Sequence, residues 1–366
     1  MGFNCGIVGL PNVGKSTIFN AITQAGLAQA ENFPFCTIEP NIGVVPVPDE
    51  RVDKLAELEN PKKVTFTSMN FVDIAGLVRG ASKGEGLGNK FLSHIREVDA
   101  IAHVVRCFED DDVVHVEGRI DPVSDIETIT AELALRDIDT VQKAQHRDQK
   151  LARGNDKLAK AAMPMYEELL ALLDEGKVAR LYEPATDTLK TAFRELYLLT
   201  AKPVLYVANV AEDDVPDGGP MVERVREVAA KEGAEVVVIS GRIEEELAEM
   251  PADDRAEFLA DLGLKESGLN QLIRKGYRLL GLITYLTAGP KEVRAWTVPK
   301  GTKAPQAAAV IHTDFERGFI RAETISFENF VACGSEQKAK EAGKMRIEGK
   351  EYVVQDGDVM HYLFNV

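Results

Sequence analysis

A glycine-rich loop near the start of the chain restricts the possible folds more than any other feature of the sequence. It reads Gly9-Leu10-Pro11-Asn12-Val13-Gly14-Lys15-Ser16-Thr17. The apolar run at residues 3–8 is typical of a buried strand, and apolar residues recur at helical spacing after the loop, at Ile18, Phe19 and Ile22. Strand, loop and helix in this order, with this spacing of the glycines and the Lys-Ser pair, form the P-loop pattern. The alternative, a glycine-rich turn with a chance Lys-Ser, leaves the flanking strand and helix unexplained.

A P-loop places particular residue types against particular atoms of a nucleoside triphosphate. Backbone N–H groups and a helix N-terminus face the phosphates. The ammonium of Lys15 reaches the β and γ oxygens, where it acts in catalysis, and the hydroxyl of Ser16 binds Mg²⁺. We therefore expect nucleotide contacts from Asn12, Val13, Gly14, Lys15, Ser16 and Thr17.

Two further segments carry residues that would complete such a site. Residues 69–76 contain a second apolar strand, which ends in Asp73, and Gly76 after it. An acid at this point holds the Mg²⁺ shell through water, and the N–H of such a glycine reaches the γ-phosphate. In the segment 32–40 two prolines forbid regular helix, and Thr37 is our candidate for a switch residue that binds Mg²⁺. The alternative for this segment is a connecting loop whose phenylalanines simply pack.

Composition and charge limit the class of protein. The 366 residues are 45% hydrophobic and 28% charged, which suits a globular chain of two or three domains. The net charge of −16 argues against unspecific coating of nucleic acid, although the last part of the chain, from residue 290, is balanced with 11 basic and 11 acidic side chains. The four cysteines lie far apart, as reduced thiols do, and no apolar run could span a membrane. We expect a cytoplasmic protein with no membrane partner.

The middle of the chain predicts an α/β domain interrupted by helices. Apolar strands at 100–107, 203–212 and 235–240 alternate with helical segments, which predicts a mostly parallel sheet with nucleotide at its carboxyl ends. His103, in the first of these strands, fits a core histidine better than a catalytic group. Two charged helices separated by a break at 154–156 suggest either a projecting arm for a partner or a packed lid.

The C-terminal part of the chain has a different pattern of apolar residues. From about residue 283, short alternating apolar stretches separated by glycine and lysine predict a separate α+β module. We expect its strands at 293–298, 309–312, 352–354 and 359–364.

Together these segments resemble the YchF family of Obg-like ATPases, which are P-loop NTPases related to translation factors, over essentially the full chain. The resemblance is carried by the P-loop, residues 32–40, residues 73–78 and residues 311–320. It implies a Ras-like P-loop G domain at 1–125 and 200–280, an inserted α-helical coiled-coil domain at 126–199 and a C-terminal β-grasp (TGS) domain at 281–364. It also implies a monomer that associates with ribosomes, with ribosomal RNA as a further contact.

The base end of the site departs from ordinary GTPases. Most of them read guanine with Asn-Lys-x-Asp, whose Asp carboxylate accepts two N–H groups of the base. At the corresponding strand end this chain has Asn209-Val210-Ala211-Glu212, without the Lys and with a carboxylate one methylene longer. Loss of such a bidentate contact removes on the order of 1–3 kcal/mol of discrimination, so we expect weak guanine specificity. The resemblance implies ATP as the preferred nucleotide, with its adenine near Asn209 and Val210 and with Ser240 lining the base.

The residue after Gly76 also departs from Ras-like enzymes. Those enzymes orient the attacking water with a glutamine, whereas Leu77 can neither donate nor accept that hydrogen bond. We therefore expect slow hydrolysis and take His115 as a hypothetical catalytic group, its alternative being an ordinary surface-loop histidine. Asn12 matches an asparagine that helps to hold K⁺ in related NTPases, so K⁺ joins Mg²⁺ as an expected cofactor.

Three functions follow from these patterns. The first is an ATP-hydrolysing enzyme that docks on ribosomes as a regulatory switch in translation or stress response. The second is an ordinary GTP-driven switch. The third is an RNA- or ribosome-binding module whose nucleotide only sets its conformation.

Overall fold

The computed structural model describes residues 3–28, 41–74, 87–110 and 119–365. Within these ranges the chain forms twelve strands, fourteen α-helices and two short 3-10 helices. Strands β1 to β12 run, in chain order, over Asn4–Val8, Ile42–Pro46, Val64–Thr65, Ser68–Asp73, Ala100–Arg106, Val204–Asn209, Glu235–Ile239, Leu282–Thr287, Val293–Pro299, Phe319–Ser326, Arg346–Glu348 and Asp358–Phe364. Helices α1 to α14 run over Lys15–Ala28, Glu50–Glu59, Leu87–Glu97, Pro122–Arg153, Lys157–Asp174, Asp187–Arg194, Gly219–Lys231, Gly241–Glu249, Ala252–Asp261, Gly268–Leu279, Ala304–Ile311, Thr313–Arg317, Phe327–Cys333 and Glu336–Glu341.

The first sheet has six strands in the order β2-β4-β1-β5-β6-β7. All neighbours are parallel except β2, which pairs antiparallel with β4. Every residue of β5 and β6 is buried, as expected for central strands of a parallel sheet with both faces covered. The predicted α/β domain with a mostly parallel sheet is thus confirmed, and the P-loop lies between β1 and α1 at the carboxyl end of β1.

The predicted pair of charged helices is present as α4 and α5, with the break between Arg153 and Lys157. The first turns of α4 belong to the core of the first sheet through Ile126, Ile129 and Leu133. Further along, α4 packs against α5 in a separate core. Among the helices described, none combines the length and apolar character needed to cross a bilayer.

The second sheet has the order β11-β10-β12-β8-β9-β3. The strands expected at 293–298 and 359–364 are β9 and β12, but the strand expected at 309–312 is wrong because this stretch ends helix α11. Buried alanines at i, i+3 and i+4 (Ala304, Ala307 and Ala308) give α11 an apolar face against the sheet, and alanine is the strongest helix former. Residues 352–354 also form no strand and make only one bridge, from Lys303 to Val353.

An early stretch of the chain packs with this late sheet. Strand β3 pairs in parallel with β9, and Val52 and Leu55 of α2 share a core with Leu286 and Phe330. Arg51 adds an ion pair to Asp356 with 2.9 Å between nitrogen and oxygen. The domain limits given above stay a prediction, but residues 50–65 lie with the C-terminal sheet even though they precede β4.

Asp137 of α4 connects the pair of helices α4 and α5 to residues 199–200, which precede β6 of the first sheet. Its carboxylate is buried and accepts hydrogen bonds from the N–H groups of Leu199 and Thr200, at 2.7 Å each, and from the Thr200 hydroxyl at 2.6 Å. Burial raises the pKa of Asp137, and the hydrogen bonds from Thr200 and Leu199 act in the opposite direction.

We expect Asp137→Ala to lower the free energy of unfolding by roughly 2–4 kcal/mol, because three buried donors lose their acceptor. Urea unfolding followed by circular dichroism measures the loss. Asp139→Ala, on the exposed side of the same helix, is the matched control and should change stability by less than about 0.5 kcal/mol. Equal effects of the two substitutions would contradict this role.

Candidate nucleotide-binding site

The P-loop has the backbone that its glycines predict. Gly14 has φ +94°, a conformation that favours glycine, and Asn12 has φ 62°. The buried ammonium of Lys15 donates to the carbonyl of Leu10 at 2.7 Å, so the side chain folds back over the loop. Helix α1 begins at Lys15 with no acidic residue in its first turn, which leaves its N-terminus suited to an anion.

Asp73 lies beside the loop because its strand is the neighbour of β1, with Asp73 level with Ile7. Burial raises the pKa of Asp73, whereas the charge of Lys15 lowers it. For Lys15, burial lowers the pKa and Asp73 opposes that shift. The hydroxyl of Ser16 and the carboxylate of Asp73 are hard oxygen donors, and the site therefore fits Mg²⁺ shared with phosphate oxygens.

A cavity of about 350 Å³ extends from the P-loop to the ends of β5 and β6. Its phosphate end is formed by the loop and the start of α1. Its base end is formed by three segments that follow β5, β6 and β7. The lining residues are Asn12, Gly14, Lys15, Ser16, Thr17, Phe108, Glu109, Asp110, Asn209, Val210, Ala211, Glu212, Gly241 and Arg242.

Asn209 joins the two ends of the cavity. Its Nδ2 donates to the carbonyl of Val13 at 3.0 Å, and its Oδ1 accepts from the N–H of Gly241 at 3.0 Å. A Cβ at Gly14 would collide with Nδ2 of Asn209. The side chain expected beside adenine therefore positions the P-loop and α8, while the N–H of Val210 is bonded to the carbonyl of Ile239.

The loop after β7 reaches the cavity through residues that the sequence reasoning did not name. Ser240 is buried, directly precedes α8 and lines a different cavity together with Glu244. Gly241 and Arg242 line the base end instead. No short motif marks Arg242, and only its position two residues after the expected Ser240 could have indicated it.

Phe108 and Asp110 form a further part of the base end that the sequence reasoning missed. Arg106, which is fully buried, donates to the carbonyls of Phe108 at 3.1 Å and Asp110 at 3.2 Å. Its guanidinium also lies 4.6 Å from the centre of the Phe108 ring. This wall of the cavity is thus held by a buried arginine at the end of β5.

His103 is a core residue, as expected. It is buried against Tyr206, and burial, with help from the charges of Arg180 and Lys15, lowers the pKa of His103 to about 3. The imidazole is therefore neutral at any physiological pH. Four further positions singled out above lie outside the described residues: Thr37, Gly76, Leu77 and His115.

The parallel sheet, the P-loop and the cavity at the carboxyl ends of the strands define a P-loop NTPase of the GTPase-like class. Residues 4–143 match a family model described as "50S ribosome-binding GTPase". Residues 282–365 match the model YchF-GTPase_C, described as "Protein of unknown function (DUF933)".

Curated relatives extend this match to the whole chain. The chain is 59% identical to "Ribosome-binding ATPase YchF" of Escherichia coli O157:H7 and 58% identical to the protein of the same name from Bacillus subtilis (strain 168), in both cases over 100% of each chain. A solved structure, "Structure of the Schizosaccharomyces pombe YchF GTPase", is 40% identical, covers 99% of this chain and 98% of that one, and has a TM-score of 0.88. The chain belongs to the YchF family.

The Asn209 linkage gives a test of the site. Asn209→Ala removes both buried hydrogen bonds, and we expect the affinity for ATP to fall about tenfold or more because the loop and α8 lose their common anchor. Isothermal titration calorimetry measures the affinity. Asn20→Ala, exposed on α1, is the matched control. Unchanged affinity in Asn209→Ala would show that the P-loop does not need this anchor.

Glu244, which lines a cavity other than the nucleotide cavity, gives a test through pH of the contact between α8 and α10. It accepts from the N–H of Gly268 at 2.8 Å at the start of α10, and burial raises the pKa of Glu244 from 4.5 to about 7. Because the folded-state pKa is raised, the stability that protonation contributes is complete below pH 4.5 and is lost as the pH rises through 7. Glu244→Gln keeps a neutral acceptor at every pH.

We therefore expect wild type to lose about 1 kcal/mol of stability relative to Glu244→Gln between pH 6 and pH 8. Urea unfolding at the two pH values measures the difference. Glu245→Gln, exposed on the same helix, should follow the wild-type pH dependence. If the stability of wild type and of Glu244→Gln changed with pH in the same way, the raised pKa of Glu244 would be refuted.

Proposed function

We propose that the protein is a ribosome-associated ATPase that binds ATP with Mg²⁺ and cleaves the β–γ phosphoanhydride as a slow regulatory switch. One observation carries the proposal. A single cavity connects the phosphate-binding end at Lys15 and Ser16 with a base end at Val210 and Glu212 that lacks the Asn-Lys-x-Asp pattern. The relatives from Escherichia coli and Bacillus subtilis, named as ribosome-binding ATPases, support the same reading.

The base end supports ATP over GTP. The carboxamide of Asn209 is engaged by the protein, and the residue after it is Val210 where ordinary GTPases place a lysine on the guanine ring. Glu212 stands in a short 3-10 turn at the edge of the cavity. The fission yeast relative, by contrast, is described as a GTPase, so a GTP-driven switch is the second candidate.

The chemistry assigned to the phosphate end uses few side chains. Ser16, Asp73 through a water molecule, and Thr37 would hold Mg²⁺, which would neutralise charge on the phosphates when bound. Lys15 stabilises the charge that develops on the β and γ oxygens. We assign the N–H of Gly76 to the γ-phosphate on sequence grounds.

The orientation of the attacking water falls to another group, because Leu77 has no polar atom. We assign this role to His115 from the sequence alone. Asn12 lies at the phosphate end of the cavity, which supports K⁺ as a second cofactor beside Mg²⁺.

The further parts of the proposal concern the partner and the domains. The G domain comprises 1–125 and 200–280, the helical insert 126–199 and the TGS domain 281–364, with residues 50–65 of the first range packed on the sheet of the last. We assign ribosome contact to the insert and the TGS domain of a cytoplasmic monomer. The balanced charge of the last part of the chain supports a polyanionic partner there more than elsewhere.

Competition between ATP and GTP for nucleotide-free protein tests the nucleotide assignment. We expect ATP to displace a fluorescent ATP analogue at a concentration about tenfold or more below that of GTP. Lys15→Ala should abolish displacement by both, and Lys231→Ala, on an exposed turn of α7, should behave as wild type. Tighter binding of GTP would establish the second candidate.

The turnover of ATP with and without ribosomes separates enzyme from binding module. An ATPase switch should hydrolyse ATP faster when ribosomes are added, and His115→Ala should reduce that rate. Ribosome binding without any stimulation of hydrolysis would instead favour a binding module whose nucleotide only sets conformation.

A further inference from the structure

Arg242 bridges two walls at the base end of the nucleotide cavity. It is the second residue of α8 and directly follows Gly241, which Asn209 holds in place. One nitrogen of its guanidinium lies 2.9 Å from Oδ2 of Asp110, in the segment after β5. The other lies 3.9 Å from Oε1 of Glu212, in the segment after β6. One side chain thus connects the segments that follow β5, β6 and β7.

The position of Glu212 indicates how this bridge affects recognition of the base. Glu212 occupies the place where ordinary GTPases have the carboxylate that accepts two N–H groups of guanine. The guanidinium lies at ion-pair distance from the Glu212 carboxylate, farther than a hydrogen bond, so it lowers the negative potential that an N–H donor of a base meets there. Adenine offers a ring nitrogen acceptor where guanine offers an N–H, so pairing of this carboxylate penalises guanine more than adenine.

We propose that Arg242 is a specificity-determining residue of the nucleotide site, which acts by lowering the negative potential that the Glu212 carboxylate presents to guanine. Asp110 orients the arginine, since their ion pair is the shorter of the two. This mechanism is a penalty on the wrong base, in addition to any contact that favours the right one. The inference rests on the preference for ATP given under the proposed function.

The bridge contributes little to folding, which makes it suitable for a clean test. The Arg242 side chain is 71% exposed and Glu212 is 45% exposed. Ion pairs at such exposure contribute less than about 1 kcal/mol to stability. Arg242→Met keeps the aliphatic length of the side chain and removes the guanidinium, so the fold should be retained.

The experiment measures the dissociation constants of ATP and GTP, each with Mg²⁺, by calorimetry for wild type, Arg242→Met, Glu212→Gln and the double variant. We expect Arg242→Met to tighten GTP binding up to about fivefold, the equivalent of about 1 kcal/mol, and to change ATP binding less than about twofold. The double variant should lose this gain, because the released carboxylate is absent. Arg226→Met removes an arginine that pairs with Glu223 on α7 and should leave both constants unchanged.

Each outcome decides a separate question. A GTP-to-ATP ratio of dissociation constants that stays the same in Arg242→Met overturns the inference, and so does a gain that persists in the double variant. Wild type without a preference for ATP contradicts the proposed function, whatever the variants do. Thermal unfolding of each variant confirms that the compared proteins are folded.

Discussion

The two hydrogen bonds of the Asn209 carboxamide hold the nucleotide cavity together. The phosphate-binding loop and the helix that begins at Gly241 are separate in sequence, and this side chain is bonded to both. Its own position is set by β6, whose last residue it is, since the carbonyl of Asn209 accepts from the N–H of Cys107 in the neighbouring chain segment after β5. The sheet therefore positions the site through one buried amide, and Gly14 must lack a Cβ for that amide to approach.

From the base end a continuous set of contacts leads to the second sheet. Glu244, one turn along α8 from Gly241, binds the N-terminus of α10. At its other end, α10 carries Tyr277, whose hydroxyl contacts Thr284 of β8 at 2.9 Å and Thr297 of β9 at 3.0 Å. A helix is a rigid element, so α8 and the second sheet share one stiff connection. Residues 50–65 lie in the chain between β2 and β4 of the first sheet and pack on the second sheet, so they connect the two sheets a second time.

The phosphate end of the site could be predicted from the sequence, whereas the base end could be predicted only for the segment at residues 209–212. Phosphates are bound by backbone N–H groups and a helix N-terminus, and the glycines that allow this backbone, Gly9 and Gly14, belong to one short segment of the chain. The base end combines Phe108, Asp110, Glu212 and Arg242 from three segments, so their proximity exists only in the folded chain. The wrong prediction of a strand at 309–312 has the same cause. The chain forms helix α11 there because three alanines of this helix are buried against the second sheet, and that contact exists only in the folded chain.

The two ends of the cavity also differ in how far their charged groups are buried. At the phosphate end Lys15 is buried and interacts with Asp73, so its charge is poorly screened and acts strongly on a polyanion. At the base end Arg242 and Glu212 are exposed to solvent and Arg242 pairs with the less exposed Asp110, so water screens much of the field of Arg242 and Glu212. The buried charge thus lies at the end of the cavity assigned to the triphosphate, which every nucleotide shares. Discrimination among bases has to come from hydrogen-bonding groups at the rim, where one arginine changes which acceptor a base can reach.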